Sequence, residues 1–152
     1  MGPTKSPINI FYRRHNDCEA KIVCVRSPEQ TRAVLIIEDE RSVADALKMI
    51  LEDNGYYAAV AATGRTGIDE ALRGLFCLTI TDIDLSDMTG FDVIKAICRH
   101  NSGMRFIVIT ANKSDELIAQ ARNCGAVGVL LKPFMPSEIL QIVGPTLANA
   151  DC

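Results

Sequence analysis

Residues 33–55 read AVLIIEDERSVADALKMILEDNG. Val34, Leu35, Ile36 and Ile37 form a continuous apolar run of strand length without polar alternation, the pattern of a strand covered on both faces in a parallel sheet. Three carboxylates, Glu38, Asp39 and Glu40, follow at once. Val43, Leu47, Ile50 and Leu51 then recur at helical spacing, and Asn54-Gly55 supplies a helix stop. A buried strand that ends in acid and turns into an amphipathic helix predicts an α/β chain whose chemistry stands at strand ends.

The same unit repeats downstream. Tyr56 to Ala61 reads as a second strand, and Ile68, Ala71 and Leu72 mark a short helix ending near Gly74. Phe76 to Thr81 is a third strand, followed by a helix carrying Phe91, Ile94 and Ile97 on one face. Phe106 to Ile109 is a fourth strand, and Ser114 can cap the next helix, with Asp115 and Glu116 in its favourable first turn. Val127 to Leu131 is a fifth strand, and Ile139, Leu140 and Val143 belong to a last helix that Gly144-Pro145 should end or kink. Five strands alternating with five helices means βαβ units, a parallel sheet, right-handed crossovers and helices on both faces. In that architecture ligands sit at the carboxyl ends of the strands.

Composition agrees with one domain and an appendage. The chain has 152 residues, 48% hydrophobic and 23% charged, which suffices for a core and argues against wholesale disorder. No apolar run approaches the roughly 18–20 residues of a membrane helix, and the amino terminus lacks a secretory h-region, so no membrane and a cytoplasmic location are expected. Residues 1–32 carry six Lys or Arg against three Asp or Glu, whereas residues 33–152 carry ten against sixteen. The acidic part shows no local basic patch, so no nucleic-acid partner is expected. We divide the chain into an extension over 1–32, expected to be flexible with a possible edge strand over Ile22 to Val25, and a domain over 33–150. The six cysteines form no CxxC pair or zinc spacing and are expected to be free thiols.

Four of the five strand ends are polar: Glu38-Asp39-Glu40, Thr81-Asp82-Ile83-Asp84, Thr110-Ala111-Asn112 and Lys132-Pro133-Phe134. A doubly wound sheet gathers the middle ends into one crevice. Glu38, Asp39 and Asp82 are then three carboxylates in a small space, and two unit charges about 4 Å apart repel by roughly 4 kcal/mol at an effective dielectric near 20. Lys132 alone cannot neutralise them. A hard divalent cation such as Mg2+ (or Mn2+) can, since it takes oxygen ligands and keeps room for phosphoryl oxygens. Lys132 and the Thr110 hydroxyl can hold the other phosphoryl oxygens, and an Asp carboxylate is a chemically competent phosphoryl acceptor. Glu40 and Asp87 read as ordinary solvated loop charges, and Met88 and Phe134 as packing.

The stretches VLIIEDE (34–40), TDIDLSDMTG (81–90), IVITA (107–111) and LLKPF (130–134) resemble the receiver domain of bacterial two-component response regulators, in order and on the matching elements. The resemblance covers about Ala33 to Ala148. It implies a flavodoxin-like sheet in the order 2-1-3-4-5 and a Mg2+-dependent phosphorylation switch, with no turnover of an external substrate. Asp82, eight residues before Gly90, would be the phosphoacceptor rather than Asp84. Asp39 would ligate the metal directly, Glu38 through water and Asp84 through its backbone carbonyl. Thr110, Ala111 and Lys132 would surround the phosphoryl group, and the Lys132-Pro133 bond would be cis. The donor would be a histidine kinase or histidine phosphotransfer protein. Output would be contact with a downstream protein through the face of the fourth helix, fifth strand and fifth helix, from a monomer or weak homodimer. No output domain follows, so a stand-alone switch or a phosphorelay intermediate is expected.

Two positions depart from the family pattern. Ser86 stands where Pro is usual, and Val129 stands where an aromatic ring usually swings inward on activation. Asp84 and Ala111 are expected to allow hydrolysis of the phosphorylated form. Two rival readings remain open. One is a receiver-like binding module that is never phosphorylated. The other is a phosphatase of the haloacid dehalogenase type, suggested by Asp82-Ile83-Asp84, although in that family the motif follows the first strand.

Overall fold

The computed structural model describes residues 33–74 and 76–150. Along the chain run β1 (Ala33–Ile37), α1 (Arg41–Asp53), β2 (Tyr57–Ala61), α2 (Gly64–Arg73), β3 (Leu78–Asp82), α3 (Gly90–Cys98), β4 (Arg105–Thr110), α4 (Asp115–Asn123), β5 (Ala126–Leu131) and α5 (Pro136–Ala148). The sheet is parallel throughout, in the order β2-β1-β3-β4-β5. Both the α/β class and the strand order expected from the sequence are therefore found. The extension over residues 1–32, with the strand considered at Ile22 to Val25, lies outside the described residues. No helix among the described residues is long and apolar enough to cross a membrane.

Burial follows the apolar runs. Every residue of β1 and β3 is buried; β1 has no polar alternation, whereas in β3 the alternating Thr79 and Thr81 are buried as well. Side chains on one face of the sheet meet α1 and α5 through Leu47, Leu51, Ile139, Val143 and Leu147. The other face packs on α2, α3 and α4 through Ala71, Phe91, Ile94, Ile97 and Ala121. Each fully buried Leu or Ile contributes about 1.5–3 kcal/mol relative to exposure, so the central strands dominate the stability of the sheet.

The local stops are largely the ones the sequence suggests. Asn54 closes α1 and Gly55 follows at φ +82°, a left-handed conformation that favours glycine. Thr63 and Thr66 form a reciprocal capping box at the start of α2, and Ser114 caps α4 by accepting from the Leu117 N–H. The edge strand β2 is guarded. The Ala61 carbonyl accepts from the Glu38 N–H, so alternation turns the Ala58 carbonyl to the open side, where Lys48 Nζ on α1 donates to it at 3.2 Å.

Two expectations need correction. Of the two effects considered for Gly144-Pro145, an end to the last helix is not found, since α5 runs on to Ala148 with Pro145 inside it. Pro145 and Gln141 both lie on the exposed side, so the carbonyl that loses its N–H partner can be hydrated. The turn beyond is held by burial of Thr146 and Leu147 and by Thr146 Oγ1 donating to the Ile142 carbonyl at 2.7 Å. The cysteines also divide: Cys98 and Cys124 are free, but Cys77 is disulfide-bonded. Cys77 lies at the foot of the sheet. Its N–H donates to the Ala33 carbonyl, its carbonyl accepts from the Arg105 N–H, and the Arg105 guanidinium donates to the Asn149 carbonyl. The start of β1 thus passes beside that residue, and the end of α5 is tied to its β4 neighbour Arg105, a placement invisible in cysteine spacing.

Candidate functional site

Parallel pairing places the ends of β1, β3 and β4 side by side, with Ile37 opposite Thr81 and Asp82 opposite Ile109. Carboxylate oxygens of Glu38, Asp39 and Asp82 there lie within 4.8 Å of one another. Glu38 is 1% exposed and Asp82 6%, while Asp39 faces solvent. Lys132, at the end of β5, reaches across with its ammonium 3.0 Å from Glu38 Oε2 and 3.0 Å from Asp82 Oδ2. The Lys132–Pro133 peptide that follows is cis.

Local backbone donors hold the two buried acids. Glu38 Oε1 accepts from the Glu40 N–H at 3.1 Å, and Asp82 Oδ1 accepts from the Asp84 N–H at 3.3 Å. Glu38 Oε2 is fully buried and faces the Lys132 ammonium at 3.0 Å. Burial pushes the Glu38 carboxyl above its ordinary value, opposed by Lys132 and the Glu40 N–H. Burial also works against the Lys132 ammonium, but the carboxylates of Glu38 and Asp82 outweigh it and hold that group above the usual lysine value.

Among the described residues one cation, Lys132, therefore faces three carboxylates. An oxygen-only donor set with surplus negative charge and one solvent-facing member fits a hard divalent cation, Mg2+ or Mn2+. Thr110 is fully buried at the end of β4, with its Oγ1 accepting from the Asn112 N–H at 3.0 Å. The Lys132 N–H donates to the Thr110 carbonyl at 2.8 Å, which ties the lysine strand end to the threonine strand end. Ala111 and Asp84 are exposed beside this crevice.

The loop from Ile83 to Thr89 folds back on itself. The Gly90 N–H donates to the Ile83 carbonyl at 2.8 Å, and Asp84 and Thr89 form an antiparallel bridge. A Cβ at Gly90 would stand 2.3 Å from the Asp82 carbonyl oxygen, so the close approach of α3 to the end of β3 requires glycine. Asp87 is not the idle solvated charge expected from the sequence. Its carboxylate accepts from the Gly64 and Arg65 N–H groups at 2.8 and 2.9 Å. These donors, Arg65 foremost, hold the Asp87 carboxyl below the usual range. No local spacing reveals this contact, because its partners lie 23 and 22 residues upstream.

Val129 is half-buried opposite Val108 of β4. A groove of about 240 Å³ opens beside it between α4 and β5, lined by Ile118, Arg122, Val127 and Leu131 among others.

A five-stranded parallel sheet with this acidic crevice at its carboxyl end defines a class, and comparison with known proteins identifies it. The response regulator receiver domain model matches residues 34–144. The transcriptional regulatory protein CusR of Escherichia coli is 33% identical over 110 residues, which is 72% of this chain and 48% of CusR. Among solved structures, a CheY-like receiver domain protein from Methanospirillum hungatei superposes with a TM-score of 0.74 at 30% identity, covering 79% of this chain and 96% of that one. The chemotaxis response regulator CheY4 of Vibrio cholerae gives 0.70 at 29% identity, covering 75% and 97%. The chain belongs to the response regulator receiver domain family, the modules of phosphorylation-dependent two-component signalling. It spans about half the length of the curated relatives it matches.

Proposed function

We propose that Asp82 accepts a phosphoryl group from a phosphorylated histidine on a kinase or phosphotransfer protein. The observation that carries this reading is the placement of one ammonium 3.0 Å from the carboxylates of both Glu38 and Asp82, with Asp39 within reach. In the transfer an Asp82 oxygen bonds to phosphorus, the P–N bond to the donor histidine breaks, and the imidazole keeps the electron pair. The carboxylates of Asp39 and Asp82 and the backbone carbonyl of Asp84 would hold Mg2+ directly, with Glu38 acting through water. When bound, the ion supplies positive charge against the phosphoryl oxygens. Lys132 leaves its ion pair with Asp82 to contact the transferred group, and the Thr110 hydroxyl turns from the Asn112 N–H to meet another of its oxygens. A module that is never phosphorylated would leave this buried acid pair without a use.

Output, on this reading, is a protein contact through the face of α4, β5 and α5, by a cytoplasmic monomer or weak homodimer that turns over no external substrate. Val129 offers no ring to bury, so repacking across the α4–β5 groove carries the change instead. Ala111 leaves room for an attacking water, and the phosphorylated form decays rather than persisting for many hours. The test is incubation with Mg2+ and acetyl phosphate followed by intact-mass spectrometry. One phosphate (~80 Da by composition) should add to the parent protein and not to Asp82→Asn. Addition to Asp82→Asn, or none to the parent, refutes the assignment.

A further inference from the structure

We propose that Asp87 is a positioning residue for the acidic crevice, holding the β3–α3 loop in place by fastening it to the amino end of α2. The inference rests on the function proposed above, since it assigns a role in that same site. Its two carboxylate oxygens take one N–H each, from Gly64 at 2.8 Å and Arg65 at 2.9 Å. Helix α2 already has a cap of its own, because Thr63 Oγ1 accepts from the Thr66 N–H at 3.1 Å. Asp87 therefore takes the two first-turn donors that Thr63 leaves over, and does so from another loop. The usual cap comes from the Ncap residue itself, here Thr63. A carboxylate reaching from a loop some twenty residues away ties two elements together.

What it ties is the segment that carries the site. Asp87 lies between Asp84, whose N–H donates to Asp82 Oδ1, and Thr89, which pairs with Asp84. Met88 packs on Gly64 so closely that a Cβ there would stand 2.4 Å from Met88 Cγ. The tip of the loop is thus pinned twice to α2, and its base is pinned by Gly90 to Ile83. Ser86, in the middle, adds no rigidity of its own, where a proline would fix φ. The staple through Asp87 supplies that constraint from outside the loop, and so fixes the Asp84 backbone that would face the cation.

Asp87→Ala, Asp87→Asn and Arg65→Pro test this. Proline in the first turn of a helix is tolerated but lacks the N–H that Asp87 accepts. Arg65→Pro also removes a positive charge, which by charge alone should tighten cation binding. Mg2+ affinity is measured by calorimetry at about 1 M KCl, where the screening length is roughly 3 Å. Asp87→Ala should weaken binding about tenfold, the usual scale for losing a group that orients a ligand. Arg65→Pro should also weaken it, and Asp87→Asn, which keeps one acceptor, should fall between parent and Ala. Amide exchange supplies a second readout. In Asp87→Ala the Arg65 and Asp84 amides should both exchange faster.

Mg2+ affinities of Asp87→Ala and Arg65→Pro within twofold of the parent overturn the inference. So does faster exchange at Arg65 alone, which reduces Asp87 to a helix cap. Should Asp87→Ala fail to fold, Asp87→Asn and Arg65→Pro decide on the same two readouts. A parent protein that binds Mg2+ but takes no phosphoryl group would sink the proposed function and leave the role of Asp87 to be judged by affinity. A parent that binds no Mg2+ leaves it to the Asp84 amide, where unchanged exchange in Asp87→Ala overturns the role and faster exchange upholds it.

Discussion

The acidic crevice and the α4–β5 edge stand at neighbouring parts of one sheet and are built on different terms. Around the crevice, β1 and β3 are buried along their whole length, and the loop after β3 is fastened at its base, middle and tip. At the edge, only Leu130 of β5 is buried, Val127 is 47% exposed, and a groove separates the strand from α4. The contrast teaches where this protein can afford movement. Phosphoryl chemistry requires oxygens held at fixed positions, whereas a surface that reports to a partner needs two packings of similar energy.

The contrast can be broken by core substitutions. Ile80→Ala in β3 should cost about 2–5 kcal/mol in denaturant unfolding, and Val129→Ala in β5 less than about 1 kcal/mol. Equal costs would mean that the two regions are packed alike. Ligand linkage gives the next effect. Mg2+ at a hundred times its dissociation constant should stabilise the parent by about 2.7 kcal/mol, read as a rise in Tm, and Asp39→Asn should lose most of that gain. An undiminished gain in Asp39→Asn would place the cation elsewhere.

Enlarging side chains sharpens the comparison. Phe at position 108, where Val108 is fully buried, should destabilise by about 1–3 kcal/mol through overpacking. Phe at position 129 has the groove to enter and should change stability by less than about 1 kcal/mol. Thermal melts of Val108→Phe and Val129→Phe in which both lose alike would show the edge to be as tight as the core.

The smallest effect concerns pH. The Asp87 carboxyl is held below its ordinary value by the Arg65 and Gly64 N–H groups. Its contribution is therefore fully present above the unfolded carboxylate pKa of about 3.9 and is lost as pH falls through the lower folded value. The stability difference between parent and Asp87→Ala should shrink on acidification from pH 6 to pH 3, measured by urea unfolding. A difference that grows on acidification would mean the carboxylate is not the stabilising form.

Much of this was legible in the sequence, for identifiable reasons. The run from Val34 to Ile37 has no polar alternation, which suits a strand covered on both faces, and on that reading the acids that follow it stand at the sheet's carboxyl end. Asp82, Thr110 and Lys132 were found by the same logic, each after an apolar run. What stayed hidden depends on distance along the chain or on which side faces water. Asp87 meets donors on another helix, and Cys77 lies against Ala33 at the start of β1. Pro145 looks like a helix stop until its side of α5 proves to be the wet one.

Lys48 has a consequence for the protein as a solute. The outer rim of β2 carries Tyr57 and Val60 in the open and no charged residue of its own, the kind of rim on which a second chain can add a strand. By occupying the Ala58 carbonyl, the lysine places an ammonium across that rim and denies an incoming backbone one of its first acceptors. The same residue that looks like a surface charge on a helix thus stands as a guard on the open edge of the sheet, one of the devices that blunt an edge against a second strand.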